Sequence, residues 1–303
     1  MAEAAPLTRE AALARMGAGA ALLSTTGILV ALAHVPPAVS AFWRMLLGGA
    51  MLAAGLLFGG RLSWPDARTL GYSLLPALAF AADLSLWHRS IAYVGPGLAT
   101  LLANFQVFLM ALVGWAVYRE RLGLRFLLGL GVALLGLWLL VGAQWSLFDA
   151  THRAGVWLGL ATGFAYAVYL LGFRHALSGR VRAEPAQFLA TISVLCALLL
   201  LGECLLERAP LAMPDLQTVG ALVALAYVGQ VLAWMLIVRA MPRLPASQVG
   251  LLLLLQPALA YVMDVLLFHR HPDADDWLGL ALSLAGIFLG STRPSPRAEA
   301  VDA

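Results

Sequence analysis

Residues 83–104 read DLSLWHRSIAYVGPGLATLLAN, and the fold class follows from this stretch. Its first half sets Asp83, Trp87, His88 and Arg89 in an otherwise apolar run. Gly95-Pro96-Gly97 then turns the chain into a second apolar run carrying Thr100 and Asn104. An ionisable group at membrane depth costs about 2.5–3.5 kcal/mol on insertion scales. A helix that only spans a bilayer has no use for Asp83. The rest of the chain is the scaffold that makes this cluster tolerable.

Composition places that scaffold in a membrane. The 303 residues are 62% hydrophobic and 12% charged, with a mean hydropathy of +0.87. Soluble domains run at about 45–50% apolar and about 25% charged. All 19 basic residues are Arg, and they fall between the apolar runs, so the composition calls for no nucleic-acid surface. Cys196 and Cys204 stand eight apart on one predicted helix. That is about 12 Å of rise, beyond the roughly 7 Å a disulfide spans, so both are packing residues. Glu3 and Glu10 lie among the early Arg residues and no small-residue cleavage site follows, so the first run reads as a retained helix.

A spanning helix needs about 20 mostly apolar residues. Ten runs qualify: 15–33, 38–59, 69–92, 96–118, 124–143, 154–174, 186–207, 217–240, 246–268 and 275–292. The short Pro- and Gly-rich connections suit antiparallel neighbours. The polar ends, 1–13 and 293–303, are expected to be poorly ordered tails. With the N-terminus inside, 14 Arg residues lie on the inner side, four (Arg89, Arg153, Arg208, Arg270) lie outside, and Arg44 falls within the second run. Positive charge collects on the cytoplasmic side, which puts both termini there.

The chain also repeats itself. At an offset of 150, Gln106, Tyr118, Gly129 and Gly136 align with Gln256, Phe268, Gly279 and Gly286. At 147, Phe80, Asp83 and Trp87 align with Tyr227, Gln230 and Trp234, and at 138 Gly17 aligns with Gly155. Residues 14–143 and 154–292 thus read as two five-helix repeats. Five is odd, so the second repeat enters the membrane from the opposite face. Secondary transporters are commonly built from such inverted repeats, with the substrate site near the midplane. The expected fold is an all-α polytopic membrane protein of ten transmembrane helices in two inverted repeats.

Arg44 within FWRMLLGGAML, the DLSLWHRSI run, ATLLAN, the RERL box at Arg119–Leu122 and Gln256-Pro257 together resemble the EamA-type members of the drug/metabolite transporter superfamily. The resemblance spans about residues 14–292. The chain departs from the family pattern at Thr26-Gly27 (usually Trp-Gly), at Val107 (usually Pro) and at HRHPD in place of the second E-R box. The resemblance implies a basket-shaped carrier whose cavity is lined by helices 1, 3, 4, 6, 8 and 9, with 5 and 10 behind. It also implies export of small metabolites or amino acids.

At about 1.5 Å per residue, Ser24 and Thr25, Phe80 and Asp83, Asn104 and Gln106, Thr162 and Tyr166, Tyr227 and Gln230, and Gln256 lie near the midplane. Phe80, Asp83 and Trp87 share one face of their helix. On the functional reading Asp83 binds a substrate ammonium or a coupling proton between aromatic walls; on the structural reading it pairs with Arg44 or Arg89. Tyr227, Gln230 and Trp234 repeat the stripe with an amide for the acid. Tyr166, Tyr169 and Phe173 either add to the wall or simply pack. Arg44 snorkels, pairs with Asp83 or Asp264, or receives a substrate carboxylate. His88 and Arg89 are expected to anchor at the interface, with a gate as the alternative. Asp264 and Glu203 are expected to be structural, and the Glu120–Arg121 pair to anchor the inner end of its helix. The candidate site is therefore Arg44, Phe80, Asp83, Trp87, Thr100, Asn104, Tyr166, Tyr227, Gln230, Trp234 and Gln256.

No HExxH, Walker loop, GxSxG or Cys/His metal spacing occurs, and no metal or cofactor is expected. The expected function is secondary active export of small metabolites, such as amino acids or amphipathic amines, across a bacterial inner membrane. The partners expected are the small-molecule substrate, membrane lipid and a coupling proton. An organic-anion or sugar-conjugate exchanger is the alternative, and it would want more basic groups at mid-depth than Arg44. A membrane enzyme using Asp83 and His88 would need both on one face, whereas five residues set them about 140° apart. A non-transporting scaffold would not need matched polar groups in both repeats.

Overall fold

The computed structural model describes residues 8–106, 108–109, 112–113, 116, 123–142, 145–177, 180–240, 252–253, 255–269 and 271–291, with the side chains of 174, 177, 238, 239 and 291 excepted. The helices are α1 (Arg9–Ala31), α2 (Pro37–Phe58), α3 (Ala67–Val94) and α4 (Pro96–Ala103). α5 (Leu124–Leu137) continues as a π-helix over Trp138–Gly142, and α6 (Ala150–Leu177) and α7 (Pro185–Leu206) follow. The span labelled α8 comprises Leu216–Ala224, a π-helix over Leu225–Ala233, and Trp234–Ala240. α9 (Leu255–Leu267) and α10 (Ala274–Ser291) close the chain. Among the described residues there is no strand, and seven helices are long and apolar enough to cross a membrane.

Local chemistry sets the helix ends. Thr8 caps α1 by accepting from the Ala11 N–H, so α1 starts at Arg9 and part of the expected 1–13 tail is helical. Asp66 and Asp215 cap α3 and α8 through the N–H groups of Thr69 (2.8 Å) and Thr218 (2.7 Å). Pro37, Pro96 and Pro185 occupy first helical positions, where a missing N–H costs nothing. The fourth run departs from expectation. Its helix is interrupted after Ala103, where the Asn104 side chain donates to the Thr100 carbonyl at 2.8 Å and competes with the helical ladder, and the described residues within 106–116 are helical again. The RERL box, Val107, Arg239, Arg243, Arg270 and the tail 293–303 lie outside the described side chains.

Small residues let the helices close on one another. Lipid tails are as apolar as Leu, so membrane helices gain by close backbone approach rather than by hydrophobic burial. A Cβ on Gly129 would lie 2.4 Å from the Gly290 nitrogen, and one on Gly136 would lie 2.4 Å from the Ser283 nitrogen. The start of α5 therefore meets the end of α10 and the reverse, so the two run antiparallel with backbones touching. On α6, Gly155, Gly159 and Gly163 recur every fourth residue against Tyr93, Leu102 and the Ala103 carbonyl. The Ser90 hydroxyl donates to the Gly155 carbonyl at 2.8 Å in the same seam.

Polar ties fix the helix ends. The Arg89 guanidinium donates to Glu203 (2.6 Å) and Glu207 (2.5 Å), fastening α3 to α7. Arg89 thus belongs to a helix clamp rather than to an interfacial anchor of its own, and Glu203 is structural as expected. His88 is fully buried, with Nδ1 2.6 Å from the Ser40 hydroxyl of α2, and so is not at the interface either. Asp264 of α9 accepts the Gly97 N–H at 3.1 Å and caps α4 from across the bundle. Cys196 and Cys204 are free and buried.

Candidate functional site

A central cavity of about 180 Å³ opens between the helices. α3 supplies its main wall: Phe80, Asp83, Leu84 and Trp87 all face it, because the α3 backbone keeps the 3.6-residue period through this stretch. Arg44 enters from α2, and Thr26 and Leu23 from α1. Thr100, Ala103 and Asn104 come from α4 and its broken end. Thr162 and Tyr166 come from α6, Trp234 and Ile237 from α8, and Gln256 from α9.

Nine of the expected residues therefore meet: Arg44, Phe80, Asp83, Trp87, Thr100, Asn104, Tyr166, Trp234 and Gln256. Two do not. Tyr227 is 51% exposed on the outer surface, and Gln230 is fully buried away from the cavity. Gln230 instead donates to the Ser193 hydroxyl at 3.1 Å and ties α8 to α7. The cause is the π-helix over Leu225–Ala233. Its bonds run from i to i+5, so the spacing that puts i, i+3 and i+7 on one face of an α-helix loses register. Trp234, where the α-helix resumes, reaches the cavity, and Tyr227 turns away.

Asp83 and Arg44 are both more than nine-tenths buried, yet they make no ion pair within 4 Å among the described residues. Arg89, the other partner considered for Asp83, is taken by Glu203 and Glu207. The Arg44 guanidinium lies over the Trp87 ring instead, its central carbon 5.7 Å from the ring centroid. Such cation–π contacts hold a guanidinium without neutralising it. Arg44 does not snorkel: glycines close α2, α1 and α8 around it. A Cβ on Gly48 would strike Gln230, and one on Gly229 would meet Thr26 at 2.6 Å and Arg44 Nη2 at 3.8 Å.

The remaining polar groups are also underused. Arg44 Nε, the Thr100 hydroxyl and Gln106 Oε1 are buried with no hydrogen-bond partner in the protein among the described residues, and all three residues line the cavity. Orphaned buried donors and acceptors are costly. The cavity thus keeps a carboxylate, a guanidinium, a hydroxyl and an amide oxygen with hydrogen-bonding capacity unused within the protein.

Behind the polar face stands an aromatic block. Tyr169 stacks on Phe80 at 4.2 Å, lies 5.9 Å from Tyr166 and meets Trp234 edge-on at 6.2 Å. Tyr169 is fully buried and does not line the cavity; with Phe173 it stiffens the wall that Phe80, Tyr166 and Trp234 present. Sequence reasoning missed Thr26, choosing Ser24 and Thr25 instead. It also missed Ile287 of α10, which reaches the cavity from a helix expected to stay behind. Thr26 could have been found, since it stands where the resembled family usually has Trp. Among the described residues no group of three or more His, Cys, Asp or Glu side chains is placed to hold a metal.

Comparison with known proteins extends this picture. The profile of the EamA-like transporter family matches residues 13–142 and again 153–292. A probable amino-acid metabolite efflux pump of Salmonella typhimurium is 27% identical over 271 residues, covering 86% of this chain and 88% of its own. The uncharacterized transporter YwfM of Bacillus subtilis is 24% identical over 279 residues, covering 89% and 90%. A crystal structure of a protein 22% identical in sequence superposes with a TM-score of 0.65 over 94% of this chain and 98% of that one, a likeness of fold.

Proposed function

The chain belongs to the EamA-like transporter family, and from that premise we propose that it is a secondary active carrier of a bacterial inner membrane. On this reading it exports small metabolites, such as amino acids or amphipathic amines, by alternating access. The observation that carries the proposal is the cavity in which Asp83 and Arg44 stand unpaired with one another. A mutually neutralised pair would serve packing. Two separated charges leave one site for a cation and one for an anion, the pattern an amino acid or an amine with a polar tail would fill.

The helix contacts support two inverted repeats over 14–143 and 154–292. α2 packs on α7, α4 on α9 and α5 on α10, each helix meeting its own repeat-mate. Three further sets of contacts come in exchanged pairs: α3 with α6 and α1 with α8, α4 with α6 and α1 with α9, α3 with α7 and α2 with α8. A two-fold axis in the membrane plane would generate this set. The glycine contacts of α5 and α10 obey the same exchange, Gly129 meeting Gly286 and Gly136 meeting Gly279. For the ten apolar runs of the sequence, the Arg distribution supports an orientation with both termini cytoplasmic.

Asp83 also offers a proton site for coupling. The Salmonella relative's name supports amino-acid metabolites as cargo. The organic-anion or sugar-conjugate exchanger is less well served. Arg44 is the one cationic side chain lining the cavity among the described residues, and about 180 Å³ is below the roughly 300–1,000 Å³ of sites for drug-sized ligands.

The test is counterflow in proteoliposomes, using a labelled panel of amino acids and amines. A carrier gives saturable uptake that unlabelled solute on the opposite side accelerates. Flux that stays linear with concentration and indifferent to that solute would reject the proposal.

A further inference from the structure

A second concavity lies on the bundle's outer surface, where α5 gives way to α6. It has a volume of about 250 Å³ and is walled by three indoles, Trp138, Trp145 and Trp157, with Val141 and Val156 between them. Trp138 and Trp157 are 56% and 64% exposed. The π-helix over Trp138–Gly142 shapes it: Gly142 lets the Trp138 ring fold back, and a Cβ there would sit 2.4 Å from the ring. Trp collects where membrane meets water, its apolar ring in the hydrocarbon and its N–H at the headgroups.

Arg153 completes the arrangement. Its central carbon lies 5.6 Å from the Trp145 ring centroid, and its guanidinium donates to the carbonyls of Trp145 (3.1 Å) and Ser146 (3.3 Å). Those bonds use two of five donors. Among the described residues no carboxylate lies within 4 Å of it; nearby Asp149 accepts the His152 N–H at 2.7 Å instead. A half-buried cation held by backbone carbonyls, with donors to spare, thus stands at the edge of an apolar groove.

We propose that this groove is a binding site for a membrane phospholipid, its acyl chain between Trp138 and Trp157 and its phosphate on Arg153. Guanidinium and phosphate match in geometry and charge, and a phosphate supplies the anion that Arg153 lacks. A free phosphate would leave the indoles uncovered, and a second copy of this chain would leave the cation unanswered.

The test is native mass spectrometry of the full chain, delipidated in detergent. It is titrated separately with dioleoylphosphatidylglycerol, with dioleoylglycerol (tails without phosphate) and with glycerol phosphate (headgroup without tails). The wild type is expected to hold the phospholipid about tenfold or more better than dioleoylglycerol, since hydrogen bonds to charged groups are worth that factor, and to ignore glycerol phosphate. Arg153→Gln should bring phospholipid binding down to the dioleoylglycerol level. Trp157→Ala, at a largely exposed position whose ring meets Trp145 edge-on at 6.3 Å, should weaken both lipids. Equal binding of the two lipids by wild type would overturn the proposal without recourse to any variant. So would unchanged phospholipid binding in Arg153→Gln, tight glycerol phosphate binding, or a dimer that forms in place of the lipid complex and is lost in Trp157→Ala.

Discussion

Arg44 and Asp83 face one cavity from neighbouring helices without closing on each other; the guanidinium rests on the Trp87 ring, 5.7 Å from its centroid. Trp87 stands one turn beyond Asp83 on the same face of α3. The helix that presents the carboxylate therefore also presents the surface that holds the cation away from it. Both charges stay available to a third party.

If Asp83 is unpaired, its charge stabilises nothing in the folded protein. Removing one partner of a buried ion pair usually costs about 3–5 kcal/mol. Asp83→Asn should cost far less and leave the melting temperature in detergent unchanged or raised. A large drop on thermal unfolding would mean that the carboxylate is a structural partner after all.

Arg44→Lys should fail as a replacement despite conserving charge. An ammonium cannot lie flat on Trp87 while keeping a planar fork toward the cavity. Initial rates of counterflow should fall about tenfold or more in Arg44→Lys. Near-wild-type rates would show that only a positive charge is needed there.

The two stripes aligned by the repeat should behave differently on substitution. Trp234→Ala removes a cavity wall and should raise the half-saturating substrate concentration, whereas Tyr227→Ala, on the outer surface, should not. Concentration dependence of exchange for both variants reads this directly. An effect of Tyr227→Ala matching that of Trp234→Ala would restore the α-helical register to α8.

The backbone contact between α5 and α10 has no room for side chains. Gly129→Val or Gly136→Val should destabilise by roughly 1–3 kcal/mol, the usual cost of overpacking. Gly131, with open space around the position of a Cβ, should accept Val without loss and with a small gain in helix propensity. Chemical unfolding of the three variants side by side distinguishes a tight seam from a loose one.

At the end of α1, His34 Nδ1 lies 2.8 Å from Asp215 Oδ2. Hydrogen bonding from His34, then from the Thr218 N–H, holds the Asp215 carboxyl down at about 2. A depressed folded value means the contribution is complete above the ordinary carboxylate value of about 3.9 and fades as pH falls through about 2. The melting-temperature difference between wild type and Asp215→Asn should shrink as pH falls from 4 to 2. A difference that grows on acidification would contradict the assignment.

Much of this was legible before the structure, and the exceptions have physical reasons. Phe80, Asp83 and Trp87 were readable as one face because α3 is α-helical there and period 3.6 applies. The same arithmetic failed on Tyr227 and Gln230 because the backbone widens to a π-helix, which residue spacing does not reveal. Asn104 reads from the sequence as a midplane polar group and a site residue; its second role, interrupting the helix after Ala103 by bonding back to Thr100, needs backbone geometry. The partner of Arg44 could not be read either. Sequence pointed to an acid, while the fold offered an aromatic face four residues along. Asp264 likewise finds its place at Gly97 only when α9 crosses the start of α4. Elements and their order follow from composition and periodicity, whereas contacts between distant helices depend on where small residues let backbones meet.

The most direct measurement is counterflow of the amino-acid and amine panel in proteoliposomes holding equal amounts of folded wild type and Asp83→Asn. Wild type is expected to show saturable exchange for at least one solute, and Asp83→Asn to lose it with stability preserved. Equal exchange by both proteins would contradict it, leaving a carrier whose central carboxylate takes no part in transport.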